Sequence, residues 1–404
     1  MDVIFLGKFF PNCLLETIKE DSRGKIGMSN HNFEMSILNG LCKQEDIHLR
    51  CITLPGVFSF PHNNKKFFTK GESYDYQSIH IDSVEFCNLV GLKDYWSTKN
   101  CARLIVEAAE SFSGSTVHVI INTPDLRLFN ALSIAKKQTK KCFTQTVIVP
   151  DIPSVVLKMN NRFSIKSFLL ARRNRKIMDE TSNSDGLVLL TEAMMDFINK
   201  PVKHIVLEGL ADIDTMDIED VESVDGKQII LYTGTLRKVF GVMNLVNAFQ
   251  LIPEPDVELW ICGSGDSKEA IENAASKDSR IKFFGLVDSR KALELQRQAT
   301  ILVNPRTSEG EYTKYSFPSK TMEYLLAAKS VIINSLPGIP NEYYDYVYTP
   351  KNESVKALAD CISYVLHLDN TYKKKRAFAG RQFIVEKKNS KIQVARILEL
   401  IKSY

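Results

Sequence analysis

Residues 228–241 read QIILYTGTLRKVFG and continue as VMNLVNAF at 242–249. A short apolar run rich in isoleucine ends at Gly234, and an amphipathic helical pattern begins after Gly241. A strand that passes through a glycine turn into a helix is the repeating unit of parallel α/β sheets. The stretch therefore predicts an α/β domain in the second half of the chain.

The same alternation of strands and helices extends in both directions through the 404 residues. Continuous apolar strands separated by helices indicate parallel sheets that are covered on both faces. The predicted strands are Val3–Leu6, Ile47–Leu54, Val117–Ile121, Thr146–Val149, Leu187–Leu190, Ile205–Leu207, Ile229–Tyr232, Val257–Ile261, Ile281–Phe284, Ile301–Val303, Val331–Ile333 and Tyr346–Tyr348.

The alternation breaks once, in an acidic segment without clear periodicity. We therefore predict an N-terminal Rossmann-like domain at 1–210, a linker at 211–227 and a C-terminal Rossmann-like domain at 228–385. A C-terminal helix at 386–404 is expected to pack back on the first domain. Ligands of such sheets bind at the carboxyl ends of the strands, so we expect two domains facing each other across a cleft.

Composition excludes several classes of protein. A hydrophobic fraction of 44% and a charged fraction of 25% are those of a globular chain rather than a disordered one. A net charge of +4 gives no indication of nucleic acid as a partner. The eight cysteines contain no CxxC pair, which favours free thiols in a reducing cytoplasm over a metal site. No uninterrupted apolar run approaches 18 residues, so no membrane span is predicted.

The positive charge is unevenly placed. Between Arg127 and Lys176 twelve side chains are Lys or Arg, and Asp151 is the one acid. Cations alternate with apolar residues over 155–170, a pattern typical of contact with anionic lipid or with the phosphates of a lipid-linked acceptor. A solvated basic face is the alternative.

Four segments in the second half have the composition of ligand-binding turns. They are the turn at Gly234 with Thr235, Arg237 and Lys238; the sequence CGSGD at 262–266, which contains Gly263; the strand end IKFFGLV at 281–287, where Leu286 and Val287 offer backbone groups to a planar base; and FPSKTMEYL at 317–325, which contains Ser319, Lys320 and Glu323. Backbone amides and cations at such turns suit a diphosphate. Each segment alone is also typical of an ordinary βα turn.

Taken in order, TGTLxxxxGVxxLxxAF from Thr233, ICGSGD from Ile261, IKFFGLV from Ile281 and FPSKTMEYLLAAKSVI from Phe317 resemble the retaining glycosyltransferases of family 4. Similarity is greatest to the branch acting in bacterial capsular or exopolysaccharide synthesis. It is strong over 228–336 and plausible over the whole chain. The resemblance implies the GT-B fold, with a sugar nucleotide bound by the second domain.

The resemblance implies a role for each candidate residue of the second domain. Glu323 matches the glutamate that holds the ribose hydroxyls. The usual phosphate-binding arginine and lysine positions are Thr235 and Phe240 here, so Arg237, Lys238 and Lys320 are the candidates to compensate. The loop before Glu323 is six residues longer than usual, and the usual first glutamate position is Tyr315. Either Glu309 or Glu311 is therefore expected to reach the donor sugar.

In the first domain the segment GKIGMSN at 24–30, which includes Gly27, resembles the family's glycine-rich loop near the donor phosphates. A flexible loop with a helix cap is the alternative. Asp151, at the end of the strand before Pro153, matches the position of a polar residue facing the donor sugar and acceptor. A carboxylate that merely caps a loop is equally compatible with this position.

The implied reaction is retaining transfer of a hexose-type sugar without a metal ion, with a UDP-sugar expected ahead of a GDP-sugar. The implied acceptor is a saccharide or a polyprenyl-diphosphate-linked saccharide, handled in the cytoplasm at the inner face of the cell membrane. Two alternatives stay open. A sugar-nucleotide epimerase shares the two-domain plan but is expected to cluster histidines near the sugar. A non-catalytic GT-B subunit would explain the altered glutamate and phosphate-binding positions.

Overall fold

The computed structural model describes residues 1–10, 15–22, 28–68, 73–77, 79–153, 155, 165–212 and 226–404. The chain forms two compact units. Unit 1 contains Met1–Asp212 together with Ser390–Tyr404, and unit 2 contains Ile213–Asn389. The predicted linker at 211–227 and the loop at Gly27 lie largely outside the described residues.

The described strands are β1 (Asp2–Gly7), β2 (His48–Thr53), β3 (Phe67–Phe68), β4 (Tyr74–Tyr76), β5 (Ile79–Ser83), β6 (Phe86–Cys87), β7 (Thr116–Asn122), β8 (Cys142–Val149), β9 (Gly186–Leu189), β10 (Lys203–Val206), β11 (Gln228–Thr233), β12 (Val257–Cys262), β13 (Ile281–Gly285), β14 (Ile301–Asn304) and β15 (Ser330–Ile333).

The described α-helices are α1 (Leu15–Asp21), α2 (Met28–Cys42), α3 (Lys93–Ser111), α4 (Leu126–Gln138), α5 (Ile165–Ser182), α6 (Val242–Phe249), α7 (Lys268–Lys277), α8 (Ser289–Gln298), α9 (Lys320–Leu326), α10 (Val355–His367), α11 (Asn370–Lys387) and α12 (Ser390–Lys402).

Unit 1 is built on an eight-stranded sheet in the order β10-β9-β8-β7-β1-β2-β5-β4. All neighbours pair in parallel except the edge pair β4–β5, which is antiparallel. Residues of β1 alternate between the two faces of the sheet, and both faces are buried. Val3 and Phe5 belong to one core cluster with Ile37 and Leu38 of α2. Helices α3, α4 and α5 pack side by side.

Helix α12 belongs to the core of unit 1, although it lies at the end of the sequence. Its residues Val394, Ile397 and Ile401 join the cluster around Val3 and Phe5. The first residue of the helix is Ser390, because the preceding helix α11 continues to Lys387.

Unit 2 is built on a five-stranded sheet in the order β13-β12-β11-β14-β15, with every pair parallel. On one face, α6 and α10 cover Ile230, Leu259, Val303 and Ile332. The chain moves outward from β11 through β12 and then, after β13, returns to the other side of β11 as β14. The carboxyl ends of β11 and β14 therefore form the topological switch point where such sheets bind ligands.

Two sequence predictions differ from the structure. Tyr346–Tyr348 is not a strand: Tyr348 makes a single isolated bridge to Ile332, and the carbonyl oxygen of Val347 accepts a hydrogen bond from Arg376 Nη2 at 2.8 Å. The predicted strands also omit β3 and β4, which pair with β6 and β5. These strands have two or three residues each, which is too short for a periodic pattern.

Within the described residues, no helix is both long and apolar enough to cross a membrane. The seven described cysteines are free thiols. No group of three His, Cys, Asp or Glu side chains in the described part of the chain could hold a metal ion.

Candidate functional site

The loops that follow β11 and β12 are joined through their backbones. Gly234 N donates to Cys262 O at 3.0 Å, and Leu236 N donates to Ser264 O at 2.9 Å. Gly263 has a φ of +145°, and a Cβ atom there would lie 1.8 Å from Gly234 O. Glycine at this position is therefore required by the contact between the two loops.

The cations after β11 lie at the surface of this joined pair of loops. Lys238 is exposed, and its backbone N donates to Asp266 Oδ1 at 2.8 Å. The Arg237 guanidinium lies 5.6 Å from the ring centre of Phe240. Thr235 is exposed, and its carbonyl oxygen accepts a hydrogen bond from Tyr232. The turn thus presents Arg237 and Lys238 at the carboxyl edge of the sheet.

Glu323 lies in the first turn of α9, where the helix dipole favours a carboxylate. Lys320 Nζ contacts both of its oxygens, at 2.6 and 2.7 Å, and the two side chains remain about one-third exposed, at 33% and 31%. Gln296 Nε2, from α8, donates to Glu323 Oε1 at 2.5 Å and to Thr233 Oγ1 at 3.1 Å. The carboxylate is thus fixed at the end of β11 while one side stays open to solvent.

Tyr324 holds α9 against the same strand end. Its hydroxyl accepts from Thr233 N at 2.9 Å and donates to Thr233 O at 3.2 Å. The ring is fully buried, and burial raises the pKa of the hydroxyl well above its ordinary value. The helix that bears Lys320 and Glu323 is therefore positioned by a neutral hydrogen-bonding side chain.

Arg306 is a buried cation that the sequence analysis did not identify. Its guanidinium lies between the rings of Phe240 and Tyr312, at 5.4 and 4.9 Å from their centres, and Nη2 donates to Ser316 Oγ at 2.6 Å. Burial lowers its pKa. The Tyr312 hydroxyl donates to Val239 O at 3.1 Å. Arg306 therefore joins the loop after β14 to the loop after β11.

Glu309 and Glu311 lie in the loop that Arg306 fixes, and both side chains are exposed. Ser308 N donates to Glu353 Oε1 at 2.6 Å, and Thr313 Oγ1 hydrogen-bonds to the carbonyl oxygens of Ser308 and Gly310. The loop is thus held at both ends, while its two carboxylates face solvent.

The remaining candidates of unit 2 are at the surface. Leu286 is 78% exposed beyond the end of β13, and Val287 is half-buried. Ser319 precedes α9 but makes no side-chain capping hydrogen bond. The backbone groups of Leu286 and Val287 and the hydroxyl of Ser319 are therefore candidates for contact with a ligand at the carboxyl edge of the sheet.

At the corresponding edge of unit 1, Asp151 follows β8. Its side chain is exposed, yet neighbouring atoms partly desolvate the carboxylate and raise its pKa. The switch point of this sheet lies between β1 and β7, where Lys8 Nζ is 3.3 Å from Asp125 Oδ2. Asp125 is also held by Arg127 Nη2 at 2.7 Å. Lys8, Asp125 and Arg127 thus form a network of ion pairs beyond the ends of these strands.

Glu34 of α2 is buried beside the ion pairs of Lys8 and Asp125. Lys8 N donates to Glu34 Oε2 at 2.6 Å. Burial raises the pKa of Glu34 to about 7. The side chain was not among the predicted site residues, because a single glutamate in a helical pattern gives no indication that it is buried.

The raised pKa of Glu34 predicts a pH-dependent stability of unit 1. The folded state keeps the proton up to about pH 7, whereas the unfolded chain releases it near 4.5. The free energy of unfolding should therefore fall as pH rises through this window, by about 3 kcal/mol from this group. In Glu34→Gln this contribution should vanish.

Urea denaturation at pH 5 to 8 checks this, followed by Trp96 fluorescence in a Trp260→Phe background. The two tryptophans lie in different units, so Trp96 reports on unit 1. Glu45→Gln, at an exposed carboxylate, is the matched control. A stability difference between Glu34→Gln and its parent that stays constant across this range would contradict the assigned pKa.

Comparison with known proteins connects this geometry to a class of enzymes. Residues 227–367 match the family model described as glycosyl transferases group 1. A search of curated proteins finds no match. The chain is therefore related to known sequences through the part that carries the turn at Gly234 and Glu323.

Solved structures match the chain over its whole length. Sucrose-phosphate synthase from Thermosynechococcus elongatus is 14% identical with a TM-score of 0.60, covering 100% of this chain and 99% of that one. Anabaena HepE in complex with UDP is 13% identical with a TM-score of 0.63, covering 100% of both chains. An S. aureus TarM mutant in complex with Fondaparinux, alpha-GlcNAc-glycerol and UDP is 10% identical with a TM-score of 0.58, covering 99% of both chains.

Two Rossmann-like units with parallel sheets, matched over the full chain by these structures, define the GT-B fold. This confirms the predicted fold class. Residues 227–367 are therefore a domain similar to the glycosyl transferases group 1, and the similarity of the rest of the chain to glycosyltransferases is one of fold.

The position of Arg306 predicts an effect on turnover. Arg306→Met keeps the buried stem but loses the hydrogen bond to Ser316, so the loop bearing Glu309 and Glu311 should lose its fixed position. We expect transfer to slow about tenfold, equivalent to about 1.4 kcal/mol in the barrier, with nucleotide affinity within twofold of the parent. Steady-state transfer and nucleotide titration measure the two effects. Arg290→Met, at an exposed residue of α8, is the control; unaltered turnover in Arg306→Met would exclude a positioning role.

Proposed function

We propose that the protein transfers a hexose-type sugar from a UDP-sugar, with retention at the anomeric carbon, to a saccharide or lipid-linked saccharide acceptor in surface polysaccharide synthesis. One observation carries this proposal: Glu323 is held by Lys320 and Gln296 at the switch point of unit 2 and still has an accessible side. A fixed carboxylate that is about one-third exposed suits the two hydroxyls of a ribose.

In this proposal the donor lies along the carboxyl edge of unit 2. Glu323 accepts hydrogen bonds from the ribose, and the backbone near Leu286 and Val287 contacts the base. Arg237 and Lys238, with the amides around Gly234 and Thr235, face the diphosphate. The backbone around Gly263 and the turn at Ser319 border the same space.

Lys320 has two roles in succession. In the unliganded molecule it neutralises Glu323 at 2.6 and 2.7 Å. When ribose hydroxyls engage the carboxylate, the ammonium group is free to turn toward the diphosphate. An exposed pair of this kind is weak, about 0 to 1 kcal/mol, so its rearrangement costs little.

The chemistry proposed for this site requires no metal ion. Negative charge develops on the departing diphosphate, and fixed amides together with Arg237, Lys238 and Lys320 stabilise it electrostatically. Either Glu309 or Glu311 is proposed to face the donor sugar from the unit 2 side. From unit 1, Asp151 is proposed to face the acceptor, with Gly27 in the loop that approaches the donor phosphates.

UDP is favoured over GDP as the nucleotide because two of the similar structures, HepE and TarM, are described as complexes with UDP. The TarM description also includes a sugar-bearing glycerol, which supports a saccharide-type acceptor. For this chain both assignments are proposals.

The basic stretch 127–176 is proposed to bring the enzyme to an anionic lipid surface. Some of its basic side chains are bound within the protein, and others are exposed to solvent. Arg127 is paired with Asp125, and Lys141 Nζ is bound to the carbonyl oxygens of Phe112 and Gly114 at 2.7 and 2.6 Å. Arg172, Arg173, Arg175 and Lys176 are exposed on α5. These α5 cations and the exposed Lys136, Lys137 and Lys140 are the described residues of the stretch available to a membrane. Lys158, Arg162 and the Lys166 side chain lie outside the described residues.

A donor panel tests the proposal. The protein is incubated with UDP-, GDP- and ADP-sugars plus a lipid-linked acceptor, and nucleotide release and labelled lipid are measured. We expect both products with a UDP-sugar. Formation of a new sugar-nucleotide isomer would identify an epimerase. If no donor gives nucleotide release or labelled lipid, a non-catalytic subunit would be favoured. Flotation with anionic liposomes at low salt tests membrane contact, which is refuted if the protein stays in the unbound fraction.

A further inference from the structure

Unit 1 contains a groove between the first turns of α3 and α4 and the first half of α5. Its volume is about 770 Å³, within the range of pockets that hold small molecules. Tyr95 and Lys99 of α3, Arg127 and Ile134 of α4, and Arg173 of α5 line it. Helix α4 begins after β7 of the parallel sheet, so the end of the groove formed by the first turn of α4 lies near the sheet's ligand-binding edge.

The polar side of the groove carries an excess of cations. Arg127 is fixed by Asp125, and Asp94 lies 3.8 Å from both Arg127 Nε and Arg173 Nη1. Lys99 is exposed, and no carboxylate among the described residues pairs with it. A half-exposed ion pair at 3.8 Å is weak, so an incoming anion with more than one charge can displace Asp94 from Arg173 and also engage Lys99.

The other side is apolar and unusually exposed. Tyr95 and Trp96 are 64% and 49% exposed at the start of α3, and Leu92 and Val90 precede them at 47% and 80%. On α5, just before Arg173, Phe168 is 70% exposed. Of these residues Tyr95 lines the groove, together with Ile134, which is 38% exposed; the others are its exposed neighbours in sequence. Exposed apolar groups in the lining of a cationic groove indicate an amphiphilic ligand rather than a fully polar one.

We propose that this groove binds a phosphate-bearing lipid with a single apolar chain. The phosphate or diphosphate contacts Lys99 and Arg173, and Arg127 adds to the positive potential of the groove. The first part of the lipid's apolar chain lies against Tyr95 and Ile134. The inference rests on the proposed function in one respect: it names the site that holds the carrier of the acceptor.

Two features favour this ligand over a flat membrane surface. The cations converge inside a groove instead of spreading over one plane. Two exposed lysines of α4, Lys136 and Lys137, lie near the end of that helix, about 14 Å along it from Arg127, and are not part of the groove. One phosphorylated head group therefore needs only the cations that line the groove, whether or not the neighbouring cations of α5 also contact a membrane.

Trp96 provides a direct probe, since it adjoins Tyr95 and is the sole tryptophan left in Trp260→Phe. Its fluorescence is titrated with farnesyl diphosphate, farnesol, inorganic pyrophosphate and phosphatidylglycerol vesicles. We expect a saturable change with farnesyl diphosphate, and at least tenfold weaker responses to farnesol and to pyrophosphate. Lys99→Glu combined with Arg173→Glu should weaken farnesyl diphosphate binding at least tenfold.

Lys136→Glu combined with Lys137→Glu is the matched control, because it reverses the same charge on α4 outside the groove and should bind as the parent does. Farnesyl diphosphate binding that is absent, or equal in the two double variants, would overturn the proposal. So would a pyrophosphate response as strong as that of the lipid, or a failure of farnesyl diphosphate to change the fluorescence beyond the change caused by vesicles alone. Donor binding is measured separately with UDP, so loss of the groove and failure of the donor site are distinguishable.

Discussion

Glu323→Ala is expected to weaken UDP binding about a hundredfold, which corresponds to about 3 kcal/mol. Two hydrogen bonds from ribose hydroxyls to a carboxylate contribute about 1.5 to 3 kcal/mol each. The carboxylate is already positioned by Lys320 and by Gln296, so little ordering opposes its interaction with ribose. Alanine would remove both acceptor oxygens and leave Lys320 without its partner.

Isothermal titration with UDP and with uridine measures this effect. Because the proposed contact is to ribose, both ligands should lose affinity by a similar factor. Glu294→Ala is the matched control, since Glu294 forms a comparable ion pair with Lys291 on exposed helix α8. A Glu323→Ala protein that binds UDP as tightly as the parent would refute the ribose role.

Gly263→Ala is expected to destabilise unit 2 by about 3 kcal/mol. The new Cβ would lie 1.8 Å from Gly234 O, and a φ of +145° disfavours any L side chain. The loops after β11 and β12 would have to separate, which would break the hydrogen bonds that join them. Donor affinity should fall as well, because Gly234, Arg237 and Lys238 belong to one of these loops.

Urea denaturation in a Trp96→Phe background, followed by Trp260 fluorescence, reports on unit 2, because Trp260 lies in β12. Gly285→Ala separates conformational strain from collision: Gly285 also has a positive φ, of +68°, but nothing lies within 4 Å of its Cβ position. Its cost should be about 1 kcal/mol. Equal losses in the two variants would mean that the contact between the loops is not the cause.

Much of the fold could be predicted from local pattern. Apolar runs such as Ile229–Tyr232 and Val257–Ile261 correspond to buried parallel strands, because burial on both faces leaves an unmistakable apolar run. The pattern failed at Tyr346–Tyr348, where Arg376 donates to Val347 O and stacks on the Tyr348 ring, and the Tyr346 ring stacks on Phe383. Side-chain contacts of this kind involve residues far apart in sequence.

The candidate site was only partly predictable, for the same reason. Lys320 and Glu323 are one helical turn apart, so their proximity follows from the sequence. Gln296 donates a hydrogen bond to Glu323 from another helix. Arg306 stacks on the ring of Phe240, which lies 66 positions earlier in the chain. The replacement of a usual lysine by Phe240 was visible, but the cation stacked on its ring was not.

The return of α12 to unit 1 has a consequence for the order of folding during synthesis. All the strands and helices of unit 2 leave the ribosome before Val394, Ile397 and Ile401, which complete the core around Val3 and Phe5. Unit 1 is thus translated first but completes its core last. Until α12 is synthesised, the apolar surface that α12 covers in the folded protein is exposed. Loss of the final helix should therefore destabilise unit 1 and leave unit 2 folded.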